Sequence, residues 1–277
     1  MKEIENQVIL ITGATDGLGK QVAHNLAVSG ATILLHGRDE KKGQSTLEQI
    51  KSASGNDKLH YYNADFSSLV EVKKLAERIK EDFDELDILI NNAGVGFGEP
   101  GSGRDLSDDG LELRFQVNYL AGFLLTKELL PLIQKSDTAR IVNVSSIAQT
   151  PIEFDDVMLE NNYSGNRAYG QSKLAQILFT VELTNRLDDT GVTVNALHPA
   201  TYMNTKMVSE ADINPINSVQ KGADAVEYLA TSDELDSVSG EFFNGKHKSR
   251  ANSQAYNDEA RKKLWELSEE LIEKHAG

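Results

Sequence analysis

Seven short runs of β-branched and leucine-rich residues recur along this chain, each far enough from the next to admit one helix. They cover residues 7–12, 32–36, 59–62, 86–91, 140–145, 193–198 and 241–243. Most are almost continuously apolar (VILIT, TILLH, LDILI, RIVNV, TVNAL), as strands covered on both faces must be. Between them the period becomes helical. Leu69, Val72, Leu75, Ala76 and Ile79 form an apolar stripe with Lys73, Lys74, Glu77 and Arg78 opposite. Ser68 stands where an N-cap would, and Glu71 completes a capping box. Leu174, Ile177, Leu178, Val181 and Leu187 trace a second stripe, closed by Thr190 and Gly191. Such alternation predicts a parallel sheet with right-handed crossovers. The expectation is an α/β, doubly wound Rossmann-type fold of about seven parallel strands with helices on both faces. No repeat, low-complexity tract or Pro/Gly-rich linker divides it, so residues 1–277 are read as one domain.

Charge and residue usage exclude several functions. Lysine and arginine total 28 against 43 acidic residues, a net charge of −15, which leaves no basic footprint for nucleic acid and no polybasic membrane patch. No apolar run approaches the roughly 18–20 residues that span a bilayer. The opening MKEIENQVIL lacks a basic n-region and an apolar h-region, so a cytoplasmic protein is expected. With no cysteine, thiolate chemistry is absent. Histidines 24, 36, 60, 198, 247 and 275 show no ligand spacing, so no metal is expected.

The first strand runs into TGATDGLG, residues 12–19, and then into a helix. Gly13 permits a tight turn, Gly17 lets backbone approach a pyrophosphate, and Gly19 lets helix and sheet pack closely. The helix N-terminus offers N–H groups to phosphate. Strand–turn–helix context makes this a dinucleotide site rather than a plain glycine turn. The second strand ends in HGRDE, with Gly37 and Arg38 where an acid would select NAD. The guanidinium, with Lys41 and Lys42 nearby, suits a 2′-phosphate. NADP(H) is therefore favoured over NAD(H). Asp39 competes as a ribose ligand but also reads as the next helix's cap, and Asp16 tempers the positive charge. Two long connections, 94–110 and 147–167, leave the carboxyl ends of strands, where ligands bind in such folds.

YGQSK, residues 169–173, sets a phenol and an ammonium four apart on one helix face. A cation within about 4–6 Å lowers a phenol's pKa toward neutrality, where it can pass protons. Upstream lie Ser145 and Ser146 at the end of VNVSS, NNAG at 91–94, and Asn118 in VNYL, in a helical segment expected to begin near Leu106. With TGATDGLG, NADFSS and LHPA, these motifs stand in the order of the short-chain dehydrogenase/reductase family, which the chain resembles from Gln7 to about Phe243. The 23 positions from Ser146 to Tyr169 are more than is usual there. That insertion and HGRDE are similar to the retinol dehydrogenase-like and protochlorophyllide reductase-like members. Unlike many of those, this sequence shows no membrane anchor, and Pro199-Ala200 replaces their Pro-Gly.

The resemblance implies hydride transfer between a nicotinamide dinucleotide and a carbonyl or alcohol. Tyr169 would be the acid/base, Lys173 would lower its pKa and bind the nicotinamide ribose, and Ser146 would bond the substrate oxygen. Asn118 would hold a water of the proton relay. Cofactor contacts would come from Thr12 (as brace), Gly13, Thr15, Asp16, Gly17, Leu18 and Gly19. Arg38, Asp65 and Phe66 would serve the adenosine half, with Asn91, Ala93 and Gly94 lining its pocket. Pro199 and Thr201 would lie near the carboxamide. Other readings stand beside these: Asp65 as a cap, Asn118 as an exposed polar residue, Ser145 in place of Ser146. His198 reads as a packed strand-end residue before a general base. Phe97, Phe154, Met158, Tyr163, Tyr202, Met203 and Met207, from the long connections and residues 202–219, point to a small molecule with an apolar or aromatic portion. The family often pairs through the helices bearing Asn118 and Tyr169, so a homo-oligomer is possible. The alternative function is a non-catalytic, nicotinamide-sensing regulator; the intact Ser146–Tyr169–Lys173 set argues for an enzyme.

Overall fold

The computed structural model describes residues 2–99, 101, 103–187, 190–210 and 214–277. Strands β1 (Val8–Ile11), β2 (Thr32–Gly37), β3 (Leu59–Asn63), β4 (Ile88–Asn91), β5 (Arg140–Val144), β6 (Thr193–His198) and β7 (Phe242–Asn244) run parallel, and β8 (His247–Ser249) pairs antiparallel with β7. The sheet order is β3-β2-β1-β4-β5-β6-β7-β8. The seven parallel strands are those expected. β8 is an addition, a fully exposed His-Lys-Ser edge with no apolar period to announce it.

Two-sided burial explains the continuous apolar runs. Ile9 and Ile11 point to the face covered by α1 (Gly17–Val28), α2 (Glu40–Ser54) and α7 (Val219–Thr231), with Leu35, Ile90 and Val144 beside them. Leu10, Leu34, Leu89 and Ile141 point to the face covered by α3 (Leu69–Asp82), α4 (Ala121–Ile133), α5 (Gly165–Arg186) and α8 (Asp258–Ala276). The stripe foreseen on α3 is fully buried. Its cap differs from the expected box. The Ser68 side chain makes no cap bond, the Leu69 N–H donates to Asp109 Oδ2 at 2.8 Å, and Glu71 accepts from the Asp65 N–H at 2.5 Å. The chain thus ties the helix start to the long connection before α4.

The segment bearing Asn118 begins at Leu113, not near Leu106, which forms an isolated bridge with Glu112. Residues Phe115–Leu120 form a π turn that leads into α4. Helix α5 is buried around most of its circumference because α8 packs on its outer side. Phe123 and Trp265 meet edge to face at 4.8 Å, the Arg186 guanidinium lies 4.0 Å over Trp265, and Tyr119 Oη and Ser268 Oγ are 2.7 Å apart. The face formed by the helices bearing Asn118 and Tyr169 is therefore covered by the chain's own C-terminal helix. Among the described residues no helix is long and apolar enough to cross a membrane.

Candidate active site

A cleft of about 750 Å³ opens at the carboxyl ends of the strands, within the range of about 300–1,000 Å³ usual for ligand sites. It starts where β1 adjoins both β2 and β4, the point at which the crossovers diverge to opposite faces. The glycine turn forms one wall. Gly13 has φ +64°, and a Cβ there would lie 2.8 Å from Ala93 Cα, so only glycine fits without strain. Thr12 sits behind it: its Oγ1 accepts from the N–H groups of Asn92 and Ala93, both at 2.9 Å. Asn92 Nδ2 in turn donates to Thr12 O at 2.8 Å and Gly13 O at 3.1 Å. Gly13, Thr15, Asp16, Gly17, Leu18 and Gly19 all line the cleft, with the start of α1 presented to it.

At the far end lie Arg38, Lys42, Asp65 and Phe66. Asp39 caps α2, accepting from the Lys42 N–H at 2.9 Å. Asp16 pairs with Lys42 Nζ at 2.5 Å, which draws its own carboxyl below the usual range. Lys41 is not among the lining residues. Asp65 both lines the cleft and accepts from the Ser67 N–H at 2.9 Å. His36, which the sequence did not mark, joins the parts: Nδ1 accepts from the Gly13 N–H at 3.3 Å, Nε2 donates to Ala64 O at 3.0 Å, and the ring stacks on Phe66 at 4.3 Å. Burial holds it neutral, with its pKa lowered to about 4. Asn91 departs from expectation. It lies beneath the cleft, donating to Thr126 Oγ1 at 3.0 Å and Asn143 Oδ1 at 2.9 Å, and it lines nothing. Ala93 and Gly94 do line it.

The other end gathers Ser146, Tyr169, Lys173, His198, Pro199 and Thr201. Both serines line the cleft, but their hydroxyls part company because successive residues of an extended chain face opposite ways. Ser145 Oγ donates to the Lys173 carbonyl at 2.6 Å and ties β5 to α5. Ser146 lines the cleft with Tyr169 and accepts from the Ala148 N–H at 3.1 Å. Lys173 Nζ donates to Val144 O at 2.8 Å and Gln176 Oε1 at 3.1 Å. Burial draws its pKa down to about 7. Burial raises the Tyr169 phenol, with the Ser146 hydroxyl opposing, so the phenol is not lowered as the lysine one turn away led one to expect. Asn118 is not exposed: its Oδ1 accepts from the Val95 N–H at 2.7 Å, and Nδ2 donates to Val95 O at 3.1 Å and Ser172 Oγ at 2.9 Å. It stands behind Gly94, not in the cleft wall. His198 bonds Thr201 Oγ1 at 3.0 Å; burial and then Lys173 lower its pKa to about 4. Ala200 is outside the left-handed region, so a Cβ in place of glycine costs the backbone nothing there.

A family model described as short chain dehydrogenase matches residues 7–215. The chain belongs to the short-chain dehydrogenase family. It is similar to retinol dehydrogenase 13 of Homo sapiens, 36% identical over 97% of this chain and 85% of that protein. Among solved structures, an uncharacterised protein from Mycobacterium paratuberculosis superposes with TM-score 0.79 at 30% identity, covering 97% of this chain and 94% of that one. A short-chain dehydrogenase from Escherichia coli complexed with NADPH does so with TM-score 0.69 at 28% identity, covering 87% and 97%.

For a short-chain dehydrogenase, an oxidoreductase acting on CH–OH groups with an NAD(P) cofactor, the cleft passes a structural test of fit. The wall at Gly13 and Gly19 has no room for side chains. A Cβ on Gly19 would lie 2.3 Å from the Gly13 carbonyl oxygen and 2.5 Å from Asn92 Nδ2. Gly19→Ala must therefore push the turn away from β4. The expected result is a stability loss of about 1–3 kcal/mol and at least about tenfold weaker dinucleotide binding, since 1.4 kcal/mol is tenfold. Thermal melts and a fluorescence titration measure both, and unchanged values would contradict this packing. Asn92 and His36 carried no periodic signal. They act through single bonds to backbone distant in sequence, and only Asn92's place beside Asn91 in NNAG pointed to it.

Proposed function

We propose that this protein is an NADP(H)-dependent oxidoreductase interconverting a carbonyl and an alcohol on a small molecule with an apolar portion. The observation that carries the reading is that Ser146, Tyr169 and Lys173 line one cleft, with the phenol and the ammonium one turn apart on α5. Thr15, Gly17, Leu18 and Gly19 would hold the pyrophosphate, with Asp65 and Phe66 at the adenine and Pro199 and Thr201 at the nicotinamide. A nicotinamide dinucleotide, when bound, supplies the two-electron redox chemistry. The chain's own residues then manage position and protons. Ser146 Oγ and Tyr169 Oη fix the substrate oxygen, and Tyr169 gives or takes its proton. Lys173 places a dischargeable cation beside them, and Asn118 fixes Val95 and Ser172 behind the site.

Phe97, Tyr202, Met203 and Met207 line the cleft, as do Val117 and Ile147, which supports an apolar substrate. Phe154 and Met158 instead pack against the core, and Tyr163 bonds Arg114; of residues 202–219, positions 211–213 lie outside the described residues. The relative's name, retinol dehydrogenase, supports a retinoid-like or other long apolar alcohol. NADPH consumption, with NADH in parallel, against aromatic and long-chain aldehydes including retinal tests the reading. Turnover with the apolar members is expected. Tight NADPH binding with no turnover of any carbonyl would favour a nicotinamide-sensing protein.

The preference for NADP(H) rests on Arg38 at the adenosine end and on the NADPH bound in the Escherichia coli structure. Arg38→Glu replaces charge-assisted bonds of about 1.5–3 kcal/mol with repulsion, so NADPH affinity should fall about a hundredfold while NADH affinity changes little. Equal losses for the two would remove the 2′-phosphate role.

A further inference from the structure

Arg114 and Glu112 are buried together, 2% and 1% exposed, outside the cleft lining. The arginine's donors do not stop at its carboxylate partners, Glu112 Oε1 and Asp105 Oδ2, each 3.3 Å from Nη1. Nε donates to Gly96 O at 2.9 Å, Nη2 to Phe97 O at 3.1 Å and Nη1 to Tyr163 Oη at 2.8 Å. One planar fork thus holds two successive carbonyls of the connection after β4 and the last part of the connection before α5. The Phe97 ring rests against the Tyr169 ring, centroids 4.4 Å apart and planes at 54°. The Phe97 carbonyl is also confined by the start of α5, where a Cβ on Gly165 would lie 1.8 Å from its oxygen. Both long connections are therefore locked at the residue that walls the phenol.

From this geometry we infer that Arg114 is a positioning residue for the reaction: by gripping the Gly96 and Phe97 carbonyls it holds the Phe97 ring against Tyr169 and so sets the orientation of the phenol. The inference rests on the reading of Tyr169 as the acid/base. Arg114→Lys keeps a cation opposite Glu112 but lacks the fork that reaches two carbonyls. Small misplacements of reacting groups cost up to about a hundredfold. Arg114→Lys should lower kcat with an apolar aldehyde about ten- to a hundredfold and leave the NADPH dissociation constant within about twofold. Phe97→Ala should lower kcat as well, and adding Arg114→Lys to it should cost little more, since the two act through one contact.

A merely structural arginine would lower stability without this coupling. Full additivity of the two substitutions, or unchanged kcat in folded Arg114→Lys, overturns the inference. If Arg114→Lys does not fold, Gly165→Ala decides. It keeps Arg114 and presses on the same Phe97 carbonyl, so the same loss of kcat and the same non-additivity with Phe97→Ala are expected, and their absence is fatal. Turnover surviving in Tyr169→Phe would instead remove the underlying reading, a result distinct from either.

Discussion

Tyr169→Phe is expected to reduce turnover by about 10²–10⁴-fold, the usual weight of a positioned acid or base, and to leave NADPH affinity within about twofold. The substitution removes one oxygen and little else. The ring keeps its contact with Phe97, and the Ser146 hydroxyl keeps the Ala148 N–H as a partner. The glycine turn and the Arg38 rim are built from other elements, so dinucleotide binding has no reason to change. Stopped-flow or steady-state rates beside a fluorescence titration separate the two quantities. If binding were lost and the rate per bound complex kept, the phenol would be holding the cofactor rather than moving the proton. The pH dependence of the rate carries further information. Burial raises this phenol, so an acid/base working near neutrality requires a cation close to its oxygen.

That point marks how far the sequence can be read. A lysine four residues after a tyrosine identifies a shared helix face, and both side chains do line one cleft. Spacing carries no measure of dielectric, however, and here desolvation governs both groups. The sheet was legible because strands covered on two faces must be apolar at every position, a pattern that survives in one dimension. β8 escaped because an exposed three-residue edge needs no apolar residue at all. Asn91, at the end of a strand in a recognisable motif, was read as a wall of the cleft. In the structure it is a buried tie among β4, β5 and α4, because a polar side chain's direction at a strand end depends on partners far along the chain. The choice between Ser145 and Ser146 was open for the same reason. His36, Asn92 and Arg114 work through backbone carbonyls and amides 17 to 80 residues away, and individual contacts of that kind leave no period behind.

Lys173→Met should separate function from stability. Its ammonium is buried, 4% exposed, and among the described residues its partners are the neutral oxygens of Val144 and Gln176. Its pKa of about 7 in the folded chain lies below the ordinary value of 10.5. Between those limits the unfolded chain binds the proton and the folded chain does not, so stability rises with pH, by about 1.4 kcal/mol per unit at most. Below pH 7 both states hold the proton and the full burial cost is present; above 10.5 it is gone. Methionine carries no such cost. Leaving buried oxygens without their donor costs about 1–3 kcal/mol each, against the several kcal/mol implied by the shift. The variant should therefore melt highest relative to the parent at pH 6 and lose ground to it as pH approaches 10, while turnover falls by about a hundredfold or more for want of the cation beside Tyr169. Parallel melting curves across pH 6–10 would mean that the lysine keeps its charge in the fold at little cost. Retained turnover would mean that its charge is not needed beside the phenol. A higher melting temperature joined to lost turnover would show that this lysine is kept for the reaction at the expense of the fold.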